Sequence, residues 1–155
     1  MSILEPINYA LFLHGTTIMR KDNKKPITAL IKCMEWLKIS TSTELVRVAT
    51  SEIVYVLADG NYSDIMLTNG KARKMTFQLN FFDKAFSQLK KNTFVRVGRS
   101  LIVNKRYIHV LNLTDQMLQF SGQQISGELR PIRVSREALK QLKELLEQEK
   151  GGSYE

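Results

Sequence analysis

Short apolar segments separated by turn residues constrain the fold of this chain more than any other feature. Strands of this length, alternating with Gly-, Asn- or Asp-containing turns, are typical of antiparallel sheets. Gly60–Asn61 and Asn69–Gly70 predict turns, and the second dipeptide predicts a hairpin. The sequence therefore predicts a mainly β fold with about ten strands. The segments are WLKI, STSTELVRV, EIVYVLA, DIMLT, KMTFQL, FVRV, LIVN, IHVLNL, QMLQFS and LRPIRV.

Two further segments have the period of an α-helix rather than that of a strand. The small helix NFFDKAFSQLK places Phe82, Phe86 and Leu89 on one stripe, with Asn80 as its expected N-cap. The C-terminal helix SREALKQLKELLEQEK begins after Ser135, a residue type that caps helices, and carries three leucines on one side. Both stripes predict helices that face a core.

The composition changes along the chain and predicts three parts. Residues 1–34 form an N-terminal arm and linker, in which the apolar run INYALFL at 7–13 could be a lone strand. Residues 35–148 hold the strands and helices, and therefore form the folded domain. Residues 149–155 are a flexible tail.

The charge of the chain favours a polyanionic partner. There are 23 Lys and Arg against 15 Asp and Glu, which gives a formal net charge of +8. The excess lies in the middle, because the segment 71–106 contains ten basic residues and one acid, Asp83. Nucleic acids and anionic surfaces are the partners that such a distribution suits.

The single cysteine and the short apolar runs indicate where in the cell the protein works. Cys33 is the single cysteine and cannot form an internal disulfide, which suits a reducing compartment. No apolar run has the length of a membrane span or sits in a signal-peptide pattern. We expect a cytoplasmic protein with no membrane partner.

Groups that could carry catalysis are few. His14 lies in the arm and His109 in an apolar strand, and neither belongs to a metal-ligand spacing. Phosphate-cradling glycine loops and the motifs of zinc proteases and serine hydrolases are missing from the sequence. The sequence predicts no enzyme, no cofactor and no metal site.

The stretch FVRVGRSLIVNKRYI at 94–108 interrupts its own strand pattern. Strict alternation would carry Arg99 onto the apolar face of Val95 and Val97, where an unpaired charge is costly. A break at Gly98 avoids this, and leaves Arg99 and Ser100 exposed in a connection between two strands. A hairpin with a solvated arginine and a binding turn both fit this pattern.

The order of several motifs resembles a known family. IVYVLADGNYSDIML, a helix, FVRVGRSLIVNKRYI and IRVSREALKQL are similar to the LytTR-type DNA-binding domain of bacterial transcription regulators. The resemblance covers roughly residues 35–146, and the block F-x-R-x-x-R-S-x-I-V-N is its most specific part. It implies an elongated arrangement of short antiparallel sheets with one small helix and a C-terminal helix. It also implies that the partner is double-stranded DNA.

Three exposed edges contact DNA in this family, two in successive major grooves and one across the minor groove between them. The resemblance places the edges at Asn61, Tyr62 and Ser63, at Arg99 and Ser100, and at Ser135 and Arg136. Arg136 could read a base, since a guanidinium can bond to guanine O6 and N7 together. Lys105 and Lys140 could neutralise phosphates without reading sequence.

Departures from the family pattern keep alternatives open. Gly98 stands where members usually have a bulkier residue, and the 34 residues of the arm are too few for the receiver domain that members often carry. We therefore expect a regulator without its own receiver, in which the arm serves self-association or a regulatory protein partner. A protein-interaction module that lost DNA reading is the main alternative, and single-stranded nucleic acid binding is a weaker one.

Overall fold

The structure is a computed structural model that describes residues 2–3 and 35–149. The described residues form eleven strands and two α-helices. All ten predicted strands are present, and the first two-residue strand is an addition. The strands are β1 (Ser2–Ile3), β2 (Trp36–Ser40), β3 (Leu45–Ala49), β4 (Ile53–Asp59), β5 (Tyr62–Leu67), β6 (Ala72–Met75), β7 (Phe94–Val97), β8 (Leu101–Asn104), β9 (Ile108–Asn112), β10 (Met117–Phe120) and β11 (Ile132–Arg133). The helices are α1 (Leu79–Ser87) and α2 (Arg136–Gln148).

The chain divides into two compact units, and the first holds the described residues up to 53 together with 80–92. Its sheet has the antiparallel order β1-β2-β3. Two residues of the predicted stripe, Phe82 and Phe86, are buried on α1, whereas the helix ends at Ser87 and the third, Leu89, is buried just beyond it. Glu35 is also buried, and its carboxylate accepts hydrogen bonds from the backbone N–H groups of Lys90 and Lys91. The chain after α1 is thereby fixed within this unit.

The second unit holds residues 54–79 and the chain from 93 onwards. It contains a five-stranded sheet of order β6-β5-β4-β8-β7 and a three-stranded sheet of order β11-β10-β9. Helix α2 and both sheets supply one core, whose most buried members include Val54, Val103, Leu118 and Leu139. Full burial of such a side chain contributes about 1.5–3 kcal/mol to stability. This core is the rigid support behind the turns described below.

The boundaries of α1 and β6 differ from the sequence prediction. Helix α1 begins at Leu79, so Asn80 lies inside the helix and the predicted N-cap is wrong. The predicted strand KMTFQL ends at Met75, the last residue of β6 that pairs with β5, and beyond it the carbonyl of Phe77 accepts a hydrogen bond from the Ser63 hydroxyl at 2.7 Å. The lone strand predicted at 7–13 and most of the tail lie outside the described residues.

Candidate nucleic-acid interface

The block FVRVGRSLIVN divides into a buried frame and an exposed turn. The whole of β8 is buried, and Phe94 and Val97 of β7 are buried as well. Within the block, only the three residues Gly98, Arg99 and Ser100 are exposed. The predicted break at Gly98 is confirmed, since β7 ends at Val97 and β8 begins at Leu101.

Backbone geometry and hydrogen bonds fix the β7–β8 turn. Gly98 has φ +69°, a conformation that L-residues seldom adopt. The Nη2 atom of Arg96 donates to the Arg99 carbonyl at 3.0 Å, and Ala58 N–H donates to the Ser100 carbonyl at 2.8 Å. The turn is therefore held from both sides, and it presents the Arg99 and Ser100 side chains to solvent.

The last residue of the block, Asn104, has a structural role in the interior. Asn104 is buried, and its side-chain oxygen accepts hydrogen bonds from the Thr93 hydroxyl at 2.8 Å and from Arg106 N–H at 3.3 Å. Residues 105–107 then form a single 3₁₀ turn, as the predicted turn requires. Asn104 thus anchors the turn that follows β8.

Helix α2 begins at a second exposed position. Ser135 is the N-cap, as predicted, and its hydroxyl accepts a hydrogen bond from Ala138 N–H at 3.3 Å. Ser135, Arg136 and Lys140 are exposed, while Val134 is buried and its N–H donates to the Gln116 carbonyl at 3.0 Å. The junction before α2 is therefore attached to the core by its backbone, with its polar side chains outside.

The β4–β5 turn supplies the third exposed position. Gly60 has φ +65°, Asn61 is exposed and Tyr62 is 45% exposed. Ser63 is different, because its side chain is completely buried and its hydroxyl bonds to Phe77. The expectation that Ser63 reads DNA is not supported by this geometry, since strand alternation turns it into the unit.

Two carboxylates, those of Asp59 and Asp64, lie beside the β4–β5 turn. Lys74 Nζ lies 2.7 Å from Asp59 Oδ2 and 3.0 Å from Asp64 Oδ1, and it also lies 5.7 Å from the Tyr62 ring centre. The hydrogen bonds to Asp59 and Asp64 raise the pKa of Lys74 above its ordinary value of 10.5. Lys74 is thus charged at neutral pH but already paired, so the β4–β5 turn is not a strongly basic surface.

The strand order brings the three exposed positions to one end of the five-stranded sheet. β4 and β8 are antiparallel with Leu57 opposite Leu101, and β7 and β8 are paired with Val97 opposite Leu101. The β4–β5 turn follows Leu57 by three residues, roughly 10 Å of extended chain. Gly98 also faces α2, because a Cβ built there would lie 3.5 Å from Ala138 Cβ.

A cavity of about 360 Å³ joins two of these positions. We name it the arginine pocket. Its wall on the β7–β8 side includes Arg99 and Ser100, and its wall on the α2 side includes Arg133 and Ser135. Its other lining residues are Leu57, Val97, Gly98, Leu101, Ile132, Val134 and Ala138. The pocket therefore has an apolar floor and a cationic rim.

Arg133 was not among the residues that the sequence singled out for DNA. It is the last residue of β11, pairs with Met117 of β10 and is exposed. The available signal was alternation, since Val134 is buried and its neighbours on both sides point outward. Arg96 was also not singled out, although its bond to the Arg99 carbonyl makes it a positioning residue.

The two predicted lysines lie apart from the arginine pocket. Lys105 follows the far end of β8, and its ammonium forms an ion pair with Glu149. Lys140 is exposed one helical turn beyond Arg136 on α2. The structure thus brings Arg99, Ser100, Ser135 and Arg133 together and leaves Lys105 elsewhere.

Residues 35–149 contain no cluster of three or more His, Cys, Asp or Glu side chains that could hold a metal ion. Within the same part of the chain, no helix is long and apolar enough to cross a membrane.

The chain is similar to known proteins in family and in fold. The family model described as the LytTr DNA-binding domain matches residues 43–147. Among solved structures, the chain is similar to the LytTr DNA-binding domain of a protein described as a methyl-accepting/DNA response regulator from Bacillus cereus. The two share 20% sequence identity and a TM-score of 0.51, over 72% of this chain and 95% of that one. A comparison with curated proteins gives no significant match. Since the family model spans more than half of the chain, this protein belongs to the LytTR family of DNA-binding domains.

Proposed function

We propose that this chain is a sequence-specific, double-stranded DNA-binding regulator of transcription that works in the cytoplasm. Residues 35–148 form its DNA-binding domain in this proposal. The observation that carries it is the clustering of three exposed turns at one end of a sheet, where two arginines and two serines line one pocket. Membership of a DNA-binding family supports the same partner.

The roles of the side chains follow from their chemistry. Arg136 is exposed at the start of α2, where a guanidinium can bond to two acceptors of one guanine in the major groove. Asn61 is exposed at the β4–β5 turn, and an amide can bond to N6 and N7 of an adenine. Arg99 and Ser100 contact the backbone or the minor groove, and Lys140 adds a phosphate contact. Tyr62 belongs to the same DNA-contacting edge as Asn61, at the β4–β5 turn.

Binding to duplex DNA predicts a steep dependence on salt. With roughly 5 to 8 phosphates contacted, the slope of log affinity against log salt concentration is about −4 to −7. Such a slope measures the number of counterions released and carries no information about sequence. Base preference therefore needs a separate measurement.

The test is a selection of bound fragments from a random duplex pool by the full chain, followed by fluorescence anisotropy on the selected and a scrambled duplex. We expect a selected site that binds at least ~10³-fold more tightly than the scrambled duplex. Equal affinity for every duplex, or a salt slope near zero, would instead favour a protein-interaction module on the same fold. Tighter binding to single strands than to duplexes would favour a protein that binds single-stranded nucleic acid.

The N-terminal arm enters the proposal as a self-association element that strengthens binding of two copies to tandem sites. The supporting observation is the run INYALFL at 7–13, which is the most apolar segment outside the domain. We expect removal of residues 1–30 to keep base preference and to lower cooperativity on tandem sites. Equal cooperativity of the full and shortened chains would refute this role for the arm.

A further inference from the structure

The arginine pocket has the composition of an anion site. Arg99 and Arg133 lie on different walls, Ser100 and Ser135 supply hydroxyl groups, and none of the lining residues is acidic. No carboxylate among residues 35–149 forms an ion pair with Arg99 or Arg133, which are both exposed. Both guanidinium groups are thus available to an external anion.

The backbone fixes the two arginine-bearing walls. Arg99 lies in the turn that Arg96 and Ala58 hold by hydrogen bonds to its carbonyl and to that of Ser100. Arg133 lies between its strand pairing with Met117 and the hydrogen bond from Val134 N–H to the Gln116 carbonyl. An anion site benefits from such fixed walls, because less conformational entropy is lost when the ligand binds.

The apolar floor of the pocket strengthens this reasoning. Leu57, Leu101 and Val134 exclude water from one side of the cavity, and charge-assisted hydrogen bonds are stronger where water is excluded. Bases stack mainly on aromatic side chains, and no Phe, Tyr, Trp or His lines the pocket. The chemistry therefore favours an oxyanion over a base.

We infer that the arginine pocket holds one backbone phosphate of the bound duplex, and that Arg133 is a ligand of this phosphate together with Arg99. The inference rests on the proposed function. A phosphodiester carries one negative charge on two acceptor oxygens, which matches a guanidinium from each wall. Because this phosphate contacts both the β7–β8 turn and the segment before α2, it positions the two on the DNA. Arg133 therefore fixes the register of the protein on the duplex and does not read a base.

A competing role for Arg133 is a contact with Asp115. Arg133 also borders a second cavity of about 540 Å³ that Asp115 lines. However, Asp115 accepts a hydrogen bond from Asn112 Nδ2 at 2.9 Å, and its backbone N–H donates to Asn112 Oδ1. Asp115 is therefore held by Asn112 within its own turn.

The experiment pairs a protein variant with single neutral phosphates in the DNA. The full chain, Arg133→Ala and Arg133→Lys are each bound to the selected duplex and to duplexes with one methylphosphonate at successive positions. Arg130→Ala is the matched control, because Arg130 is exposed on the same segment, has the same charge and lines a different cavity. Thermal unfolding of each variant confirms that the fold is retained.

We expect Arg133→Ala to bind every unmodified duplex on the order of tenfold more weakly, with a salt slope smaller by about one. One methylphosphonate position should weaken the full chain more than it weakens Arg133→Ala, which keeps only the contact from Arg99, while Arg133→Lys keeps the slope and recovers part of the affinity. Arg130→Ala should keep the sensitivity of the full chain at that position. If Arg133→Ala retains the full chain's methylphosphonate pattern, or matches Arg130→Ala, the inference is overturned and the proposed function stands. Absence of duplex binding by the full chain would overturn the proposed function itself.

Discussion

The conformation of Gly98 links the stability of the protein to its proposed contact with DNA, and a comparison of Gly98→Ala with a matched glycine variant separates the two effects. At φ +69° an L-residue costs about 1–2 kcal/mol relative to glycine. Steric contact adds little, since the nearest atom to a new Cβ is Ala138 Cβ at 3.5 Å, an ordinary van der Waals distance. The expected loss of stability is therefore about 1–2 kcal/mol, or roughly 3–6 °C in melting temperature.

The matched control is Gly127→Ala. Gly127 has φ +85° with open space around it, so its substitution carries the same backbone strain. It lies in the connection between β10 and β11, outside the arginine pocket. Gly98→Asn is a rescue variant, because asparagine tolerates positive φ better than alanine.

The assay combines urea unfolding with duplex binding by anisotropy. Both alanine variants should unfold at lower urea concentration with unchanged m-values, but only Gly98→Ala should weaken DNA binding, because its turn carries Arg99 and Ser100. Gly98→Asn should recover part of both losses. Equal binding by the two alanine variants would refute the reasoning that the shape of the β7–β8 turn matters for DNA. An unchanged stability of Gly98→Ala would refute the strain estimate.

Three other substitutions test individual side chains. Arg136→Ala should cost about 1–3 kcal/mol of binding and relax preference at one or two base pairs; a selected site of unchanged sequence and affinity would contradict a reading role. Lys105→Ala, which the sequence alone placed among phosphate contacts, should change affinity less than about twofold, because Lys105 follows the end of β8 that lies away from the β7–β8 turn; a salt slope smaller by one would restore the original assignment. Asp59→Asn removes one partner of Lys74 and should tighten binding to all duplexes by roughly two- to threefold at low salt, and weaker binding would contradict this.

The strands and the two helices could be predicted because each is encoded locally. Short apolar runs bounded by turn residues identify β4 to β8, and the Ser135 cap identifies the start of α2. Alternation along β5 also indicates that Ser63 is buried rather than exposed, since Ser63 and the buried Ile65 are two residues apart and face the same side. Proximity to a turn was the weaker guide to exposure.

The contacts that could not be predicted join segments that are far apart in the sequence. The pairing of Lys105 with Glu149 spans 44 residues, and the bond from Ser63 to Phe77 spans 14. The meeting of Arg99 and Arg133 at one cavity requires the order of both sheets and the position of α2. Local patterns carry no information of this kind, so the sequence could assign residues to turns but not turns to a common pocket.

The charge distribution around the three turns suggests how affinity and base preference are divided between them. The β7–β8 turn and the α2 junction carry Arg99 and Arg133 at a pocket lined by no carboxylate, and Arg136 is exposed at the start of α2. The β4–β5 turn lies beside Asp59 and Asp64, which repel phosphate and occupy Lys74. Phosphate attraction should therefore come mainly from the first two positions, whereas the β4–β5 turn can contribute hydrogen bonds to base edges. On this argument the arginine pocket sets the register of the domain on the duplex, and the β4–β5 turn adds discrimination at the cost of some affinity.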